Sequence, residues 1–300
     1  MARTRGAAVD VGGIGRQSAN VSPEPLPESC AVAIVDWHCA GHDTARGEVE
    51  LAPTHEVVVP RHGAYLREYR GELSWLDPGT VSFANPGEHY RVRHPAPGGD
   101  RCTLFALSRR EARAVLGPEA RFTRPHAPLS GRAYLLHRLA LGASRQRRAH
   151  STAGLAAEEY AGAFLRAALA PLSPRASPPR RMAESVMAAR AHIAQRYRDP
   201  LTLGDIAVAA GCSAFHLSRQ FRRTFGMSIW RQVLRLRLRD ALERVLETGE
   251  SLSLIGLGAG FASQSHFGDA FRAEFGEAPG RVRRMAAPAL RELRMRARNR

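Results

Sequence analysis

The chain has 300 residues, which suggests two domains, and its 44% hydrophobic and 24% charged residues are typical of a globular protein. Its 44 basic and 28 acidic residues give a net charge of +16, which favours phosphate backbones or acidic membrane surfaces as partners. Four cysteines (Cys30, Cys39, Cys102 and Cys212) without a C-x-x-C pair argue against a disulfide scaffold or a zinc knuckle. Because neither a run of about 18 apolar residues nor an apolar signal core occurs, we expect a cytoplasmic protein that binds no membrane.

The first 110 residues carry two patterns. Residues 1–27 are rich in Gly, Pro and Ser without periodicity, which predicts a flexible arm. Residues 28–110 hold short apolar runs separated by turn signals such as DPG and NPG; the runs include AVAIVDW, HEVVVP, TVSFANP, YRVR and CTLFAL. Strands at such short spacing predict that residues 28–110 form a small antiparallel barrel or sandwich.

The middle of the chain changes to a helical pattern. Within 111–170, apolar residues recur at three- and four-residue spacing over Ala133–Leu141 and Leu155–Leu169. The segment 171–180 is too rich in proline to continue a helix, so we predict a semi-rigid linker there.

Beyond the linker, residues 181–286 are predicted to be helical and 287–300 to form a basic tail. Ten of the sixteen net positive charges lie beyond residue 180. Thr202 is placed to cap one helix, Gly211 to end it in a left-handed conformation, and Ser213 to cap the next.

The second of these helices has two distinct faces. Leu217, Phe221 and Phe225 recur at four-residue spacing and are predicted to be core. The neighbouring outward face carries an aromatic ring, a hydroxyl and two arginines at i, i+3, i+4 and i+7: Phe215, Ser218, Arg219 and Arg222. Such a face, with Arg223 beside it, suits a DNA major groove, and the whole pattern is typical of a helix-turn-helix.

The pattern recurs fifty residues later, where GFASQSHFGDAFRAEFG repeats GCSAFHLSRQFRRTFG with one inserted residue. His266 corresponds to His216 and Phe271 to Phe221. An internal repeat of this kind implies two similar units. Between them Ile229–Glu247 predicts one helix about 28 Å long at about 1.5 Å per residue, a size that suits successive major grooves about 34 Å apart.

Over 201–284 the chain resembles the AraC/XylS family of bacterial transcription regulators. The resemblance rests on DIAVAAGCSAFHLSRQFRRTFGMS and ASQSHFGDAFRAEFGEAPGRVR. It implies base contacts from two recognition helices and a phosphate contact from the second. The implied base contacts are Phe215, Ser218, Arg219, Ser265 and Asp269, and the implied phosphate contact is Arg272.

The second unit departs from the family pattern at Asp269, a position that is usually basic or polar. Its counterpart in the first unit is Arg219. The phosphates of DNA would repel the carboxylate of Asp269, although this carboxylate could accept a hydrogen bond from N4 of cytosine. Gly256, Gly258 and Gly268 also weaken the helices of this unit by about 1 kcal/mol each relative to alanine. We therefore predict that the first unit dominates sequence reading.

Many members of this family attach a cupin-like β-barrel that senses a small molecule, and DPGTVSFANPGEHYRVRHP resembles the second cupin motif. The helices of 111–170 resemble the family's dimerisation region, where Leu155–Leu169 is placed to pair with a second copy. We expect an effector pocket lined by aromatic and polar residues of the predicted strands: Trp37, His38, Tyr65, Arg67, Phe83, His89 and Tyr90.

Seven residues of the barrel region have metal-ligating side chains: His38, Cys39, His42, His55, His62, His89 and His94. Metal-dependent cupins have an H-x-H pair followed by a glutamate, and no H-x-H occurs. The nucleophile motif G-x-S-x-G is also absent, and the scattered cysteines do not resemble the zinc cluster of alkyl-transfer activators. We expect no catalytic residue, no metal and no cofactor.

The combined interpretation is an α+β protein with an N-terminal cupin-like β-barrel, following helices and a C-terminal all-α double helix-turn-helix. We expect a sequence-specific transcription regulator that binds double-stranded DNA and a small-molecule effector, forms a homodimer and contacts RNA polymerase. One alternative is a cupin-type metal enzyme with an accessory DNA-binding domain, which metal analysis would identify. Another is a non-specific DNA-compacting protein, whose binding would depend steeply on salt without sequence preference.

Overall fold

The computed structural model describes residues 31–39, 48–94, 99–146, 151–170 and 183–286. The predicted arm, linker and basic tail lie outside these ranges. None of the described helices is long and apolar enough to cross a membrane.

Nine strands and ten helices occupy the described ranges. The strands are β1 (Val32–Cys39), β2 (Glu48–Leu51), β3 (His55–Gly63), β4 (Tyr65–Tyr69), β5 (Glu72–Leu76), β6 (Thr80–Ala84), β7 (His89–Arg93), β8 (Asp100–Leu107) and β9 (His126–Pro128). The helices are α1 (Arg109–Leu116), α2 (Gly131–Gln146), α3 (Ser151–Leu169), α4 (Glu184–Arg196), α5 (Leu203–Ala209), α6 (Ala214–Phe225), α7 (Ile229–Glu247), α8 (Leu252–Gly258), α9 (Gln264–Phe275) and α10 (Pro279–Met285).

The strands form two antiparallel sheets, in the orders β1-β8-β3-β6-β9 and β2-β7-β4-β5. The five apolar runs quoted from the sequence lie in β1, β3, β6, β7 and β8. The α+β organisation is confirmed, and of the two forms predicted for the strands, the described residues show two separate sheets and no closed barrel. No hydrogen-bonded ladder joins the two sheets there, so each keeps its own edge strands.

The helix pairs of the repeat have matching ends. Thr202 caps α5 in a capping box with Asp205, and Ser213 and Ser263 cap α6 and α9 through the backbone N–H groups three residues on. Both recognition helices end at glycines in the left-handed conformation, Gly226 and Gly276. The predicted repeat and the bounds of α7 are confirmed.

Two hydrophobic cores meet along α7. The first contains α4, α5, α6 and the start of α7, with Leu217 and Phe221 fully buried and Phe225 only half-buried. The second continues from the sheets through α2 and α3 into the end of α7 and into α8, α9 and α10. The second helix-turn-helix unit therefore shares one core with the N-terminal half of the chain.

The face of α7 that packs against the N-terminal half of the chain carries a charged residue every four positions: Arg235, Arg239, Glu243 and Glu247. We call these four residues and their partners the α7 seam. Arg235 and Arg239 donate hydrogen bonds to the carbonyl oxygen of Leu129 at 3.1 and 2.8 Å. The guanidinium of Arg239, 1% exposed, lies 4.6 Å from the ring centre of Tyr134 on α2. These contacts fix the first half of α7 against the start of α2.

The second half of the α7 seam consists of ion pairs. The side chains of Glu243 and His62 approach to 2.8 Å between Oε2 and Nε2. Glu247 pairs with Arg138 and, at 3.2 Å, with Arg145, both on α2. Burial alone would raise the pKa of Glu243, but Arg138, the hydrogen bond from His62 and the charge of Arg61 lower it to about 2. The seam therefore holds Glu243 ionised.

A matched pair of phenylalanine substitutions tests the assignment of core and surface. Phe271→Ala is expected to destabilise the fold by about 3–5 kcal/mol, because its fully buried side chain belongs to the shared core. Phe215→Ala should stay within about 0.5 kcal/mol, because 73% of its side chain is exposed. Thermal and denaturant unfolding measure both, and equal losses would contradict the assignment.

Acid should weaken the α7 seam. The pKa of Glu243 lies at about 2 in the folded chain against an ordinary value of 4.5. The ionised Glu243 therefore contributes fully to the free energy of unfolding above about pH 4.5. This contribution, up to about 3 kcal/mol, is lost as the pH falls towards 2. Unfolding of Glu243→Gln between pH 2 and 6 should show a flatter pH dependence than the parent chain. Glu159→Gln, which changes an exposed carboxylate on α3, serves as the control and should follow the parent curve.

Candidate DNA interface and regulatory pocket

The outward face of α6 is accessible and positively charged. Phe215, Arg219, Arg222 and Arg223 are exposed, whereas Ser218 is half-buried beside them. The guanidinium of Arg219 lies 5.5 Å from the ring centre of Phe215, which supports both side chains on one face. No carboxylate pairs with these arginines among the described residues. Their guanidinium groups are therefore available to bases and phosphates.

The corresponding face of α9 is accessible but less basic. Ser265, Asp269 and Arg272 are all exposed, so the structure brings each predicted residue of the second unit to the surface. Asp269 stands where α6 has Arg219, and the exposed Ala273 stands where α6 has Arg223. The two units therefore have the same arrangement of helices and differ in the charge of their exposed faces.

One glycine of the second unit has a packing role that the sequence did not reveal. A Cβ atom on Gly256 would lie 2.9 Å from the Cβ atom of Phe267. Gly256 therefore lets α8 approach α9 closely, and its effect is not limited to weakening the helix.

The predicted effector pocket divides into two sets of residues. Arg67 contacts two of the other predicted residues: it donates to the carbonyl oxygen of Phe83 at 2.7 Å and lies 4.2 Å from the ring centre of Tyr90. Tyr65 is buried two residues earlier on β4, with its hydroxyl 3.4 Å from that of Ser82. The other three predicted residues, Trp37, His38 and His89, are exposed and lie outside this group.

Arg67 and Glu56 are the buried ionisable side chains of this group. Arg67 is 3% exposed, and its Nε and Nη2 atoms have no hydrogen-bond partner among the described residues. Glu56, which the sequence analysis missed, is 4% exposed, and burial raises its pKa to about 7 despite the nearby charge of Arg67. Its position on an apolar-looking strand gave no sequence signal. This group of residues thus contains buried N–H donors and a carboxyl group whose pKa lies near neutral pH.

His126 on β9 is a further, half-buried polar side chain near Arg67. Its Nδ1 atom lies 3.0 Å from the hydroxyl of Ser74. Burial, with the charges of Arg67 and Arg190, lowers the pKa of His126 to about 4. The imidazole is therefore neutral at physiological pH and can donate or accept one hydrogen bond.

The seven potential ligating residues of the barrel region have different surroundings. His55 contacts the carbonyl oxygen of Ala120, His62 belongs to the α7 seam, and His42 lies outside the described residues. Cys39 and His94 converge with Asp100, a residue that the sequence analysis did not single out. Hydrogen bonds to Asp100 and then to Cys39 raise the pKa of His94 to about 10.

Comparison with known proteins supports the helix-turn-helix assignment. A family model described as "Helix-turn-helix domain" matches residues 206–285. The transcriptional activator RhaS of Pectobacterium carotovorum subsp. carotovorum is 29% identical over 103 residues, which cover 34% of this chain and 37% of RhaS. The transcriptional regulator GlxA of Rhizobium meliloti is 35% identical over 85 residues, covering 28% and 26% of the two chains. The chain thus spans well under half the length of these curated relatives.

Two solved structures illustrate the extent of the likeness. An AraC-type transcriptional regulator from Chromobacterium violaceum is 31% identical, and the match covers 34% of this chain and 92% of that one with a TM-score of 0.33. Wild-type ToxT from Vibrio cholerae, solved with an unsaturated fatty acid bound, is 11% identical over 85% and 95% of the two chains with a TM-score of 0.34. The family model, the named relatives and the repeated caps agree: residues 206–285 are an AraC-type helix-turn-helix domain.

Proposed function

We propose that this protein is a sequence-specific DNA-binding transcription regulator that acts in the cytoplasm, not an enzyme. The exposed, unpaired arginines on α6 carry the proposal. Arg219 would make a bidentate contact with guanine, and Arg222 and Arg223 would contact phosphates. On α9, Ser265 and Asp269 would face bases and Arg272 phosphate.

We propose further that the pocket around Arg67 binds the effector. An effector that carries a carboxylate or carbonyl oxygen would satisfy the two buried N–H groups that have no described partner. The rings of Tyr90, Phe83 and Tyr65 would cover its apolar part. Trp37, His38 and His89 are not part of this proposal, because they lie exposed away from the pocket.

The α7 seam supplies a route from effector to DNA. Effector binding between the sheets would alter how β3 and the start of α2 hold α7, and α7 connects the two helix-turn-helix units. An effector changes DNA affinity only by binding the two arrangements unequally. Arg190 of α4 adds a second connection, because it pairs with Asp77 of the sheet domain and lies 4.5 Å from the ring centre of Phe225 on α6.

A homodimer that contacts RNA polymerase completes the proposal. The apolar stripe predicted to pair two copies is used within the chain: Ala157 is buried, and Ala161 and Leu165 are buried in the shared core. On α3 the exposed large apolar side chain among the described residues is Leu155, at 70% exposure. A dimer surface on α3 would therefore use its outer face and not this stripe.

Selection from a random-sequence DNA library tests sequence-specific binding. We expect the full chain to enrich one motif, because α6 offers base-reading side chains and not only charge. The full chain is needed because residues 181–300 alone would expose the core shared with α2 and α3. Enrichment of no motif, with steep salt dependence, would instead support non-specific binding.

Paired substitutions on the selected site compare the two units. Arg219→Ala should cost about 1–3 kcal/mol in discrimination between the selected site and altered sites. Asp269→Ala should cost less discrimination and raise overall affinity, because it removes a carboxylate near the phosphates. Titrations at several salt concentrations measure both, and equal losses of discrimination would contradict the predicted dominance of the first unit.

A thermal-shift screen tests the effector pocket. We expect small carboxylates, screened beside their uncharged amides, to stabilise the parent chain, and Arg67→Gln to abolish the shift. Arg70→Gln is the matched control, because Arg70 is an exposed arginine in the turn that follows β4. Equal shifts in the parent and Arg67→Gln chains would exclude Arg67 as the recognition group.

A further inference from the structure

Three side chains with metal-binding atoms converge at one corner of the five-stranded sheet. A sulfur of Cys39, a ring nitrogen of His94 and a carboxylate oxygen of Asp100 all lie within 4.8 Å of one another. They come from positions 39, 94 and 100, so only the fold brings them together. We propose that Cys39, His94 and Asp100 form a binding site for Zn²⁺ or a chemically similar divalent transition-metal ion.

The backbone holds two of the three residues in fixed positions. Cys39 and Asp100 are direct partners in the β1–β8 ladder, and Asp100 also pairs with Gly63 of β3. A Cβ atom on Gly63 would lie 2.2 Å from the carbonyl oxygen of Gly99, so only glycine permits this approach. His94 follows β7 immediately, and its side chain is 7% exposed. Two of the donors thus lie on sheet residues and the third directly follows a strand, which suits a preorganised site.

A further cysteine orients the carboxylate. The thiol of Cys102 donates to Oδ1 of Asp100 at 2.9 Å, whereas Oδ2 lies 2.6 Å from Nε2 of His94. Hydrogen bonds from neighbouring residues commonly orient metal ligands in this way. Cys102 is therefore a positioning residue, and the thiolate ligand is Cys39.

The donor set selects the class of ion. A thiolate with an imidazole favours Zn²⁺ and similar ions over Mg²⁺ and Ca²⁺, which prefer oxygen ligands. Donor atoms bonded to Zn²⁺ at about 2.0–2.3 Å lie about 3.3 Å or more apart in a tetrahedron. Binding of the ion would therefore lengthen the 2.6 Å distance between His94 Nε2 and Asp100 Oδ2 by less than about 1 Å. The ion would replace the proton that these two atoms share. Three protein donors leave one position for water or another ligand.

Cobalt substitution tests the site in the full chain after chelator treatment. We expect one Co²⁺ per chain, a near-ultraviolet thiolate-to-cobalt charge-transfer band, tetrahedral visible bands, and displacement of all of them by Zn²⁺. Cys39→Ser should abolish the charge-transfer band. Cys102→Ala should keep the band and weaken affinity about 10–100-fold, because it removes only the group that orients Asp100.

Cys212→Ser is the matched control, because Cys212 lies in the helix-turn-helix region away from the sheets, and it should leave the spectrum unchanged. Circular dichroism checks that each variant is folded. Absence of the band in the parent chain, its persistence in Cys39→Ser, or its loss in Cys212→Ser would each overturn the proposal. The test involves no DNA, so its outcome is independent of the proposed regulatory function.

Discussion

The fold depends on how α7 is held. One end of this helix lies in the core of the first helix-turn-helix unit, and the other lies in the core that the second unit shares with the sheets. Between these cores its charged stripe makes directional contacts with Leu129, Tyr134 and Arg138. Apolar packing alone tolerates small rotations, but a guanidinium that donates to one carbonyl and stacks on one ring does not. The α7 seam therefore fixes the rotation of the helix that spaces the two recognition helices.

The same seam makes the junction responsive. Buried charges contribute little net stability, because desolvation offsets most of their attraction, yet removal of one partner leaves the other uncompensated. Two buried nitrogen atoms of Arg138 and one oxygen of Glu243 have no hydrogen-bond partner among the described residues. Arg138 Nε and Glu243 Oε1 face each other at 3.6 Å, an ion pair that is too long for a hydrogen bond. Such a junction favours one arrangement strongly and is sensitive to small displacements of β3 or α2. An effector bound between the sheets would act on both elements.

The sequence predicted what local patterns encode and missed what depends on distant segments. The caps at Ser213 and Ser263, the repeat and the bounds of α7 followed from helical periodicity and capping chemistry. The sequence left a barrel and a sandwich open, because strand patterns do not reveal which ladders close. Glu56, Asp100 and the packing role of Gly256 escaped notice because their partners lie far away in sequence or on another helix. The exposed and buried members of the predicted pocket could not be separated without the sheet register.

The location of the arginines also changes the meaning of the net charge. Ten of the sixteen net positive charges lie beyond residue 180, which the sequence analysis assigned to DNA. Several of those arginines face inward: Arg190 and Arg239 are buried, and Arg235 is half-buried against Leu129 and Glu274. The arginines of this region that remain exposed on the described helices include those of α6 and α9, Arg231 of α7, and Arg281 and Arg284 of α10. Guanidinium groups thus serve two roles here, and only burial distinguishes an arginine that binds phosphate from one that holds the domains together.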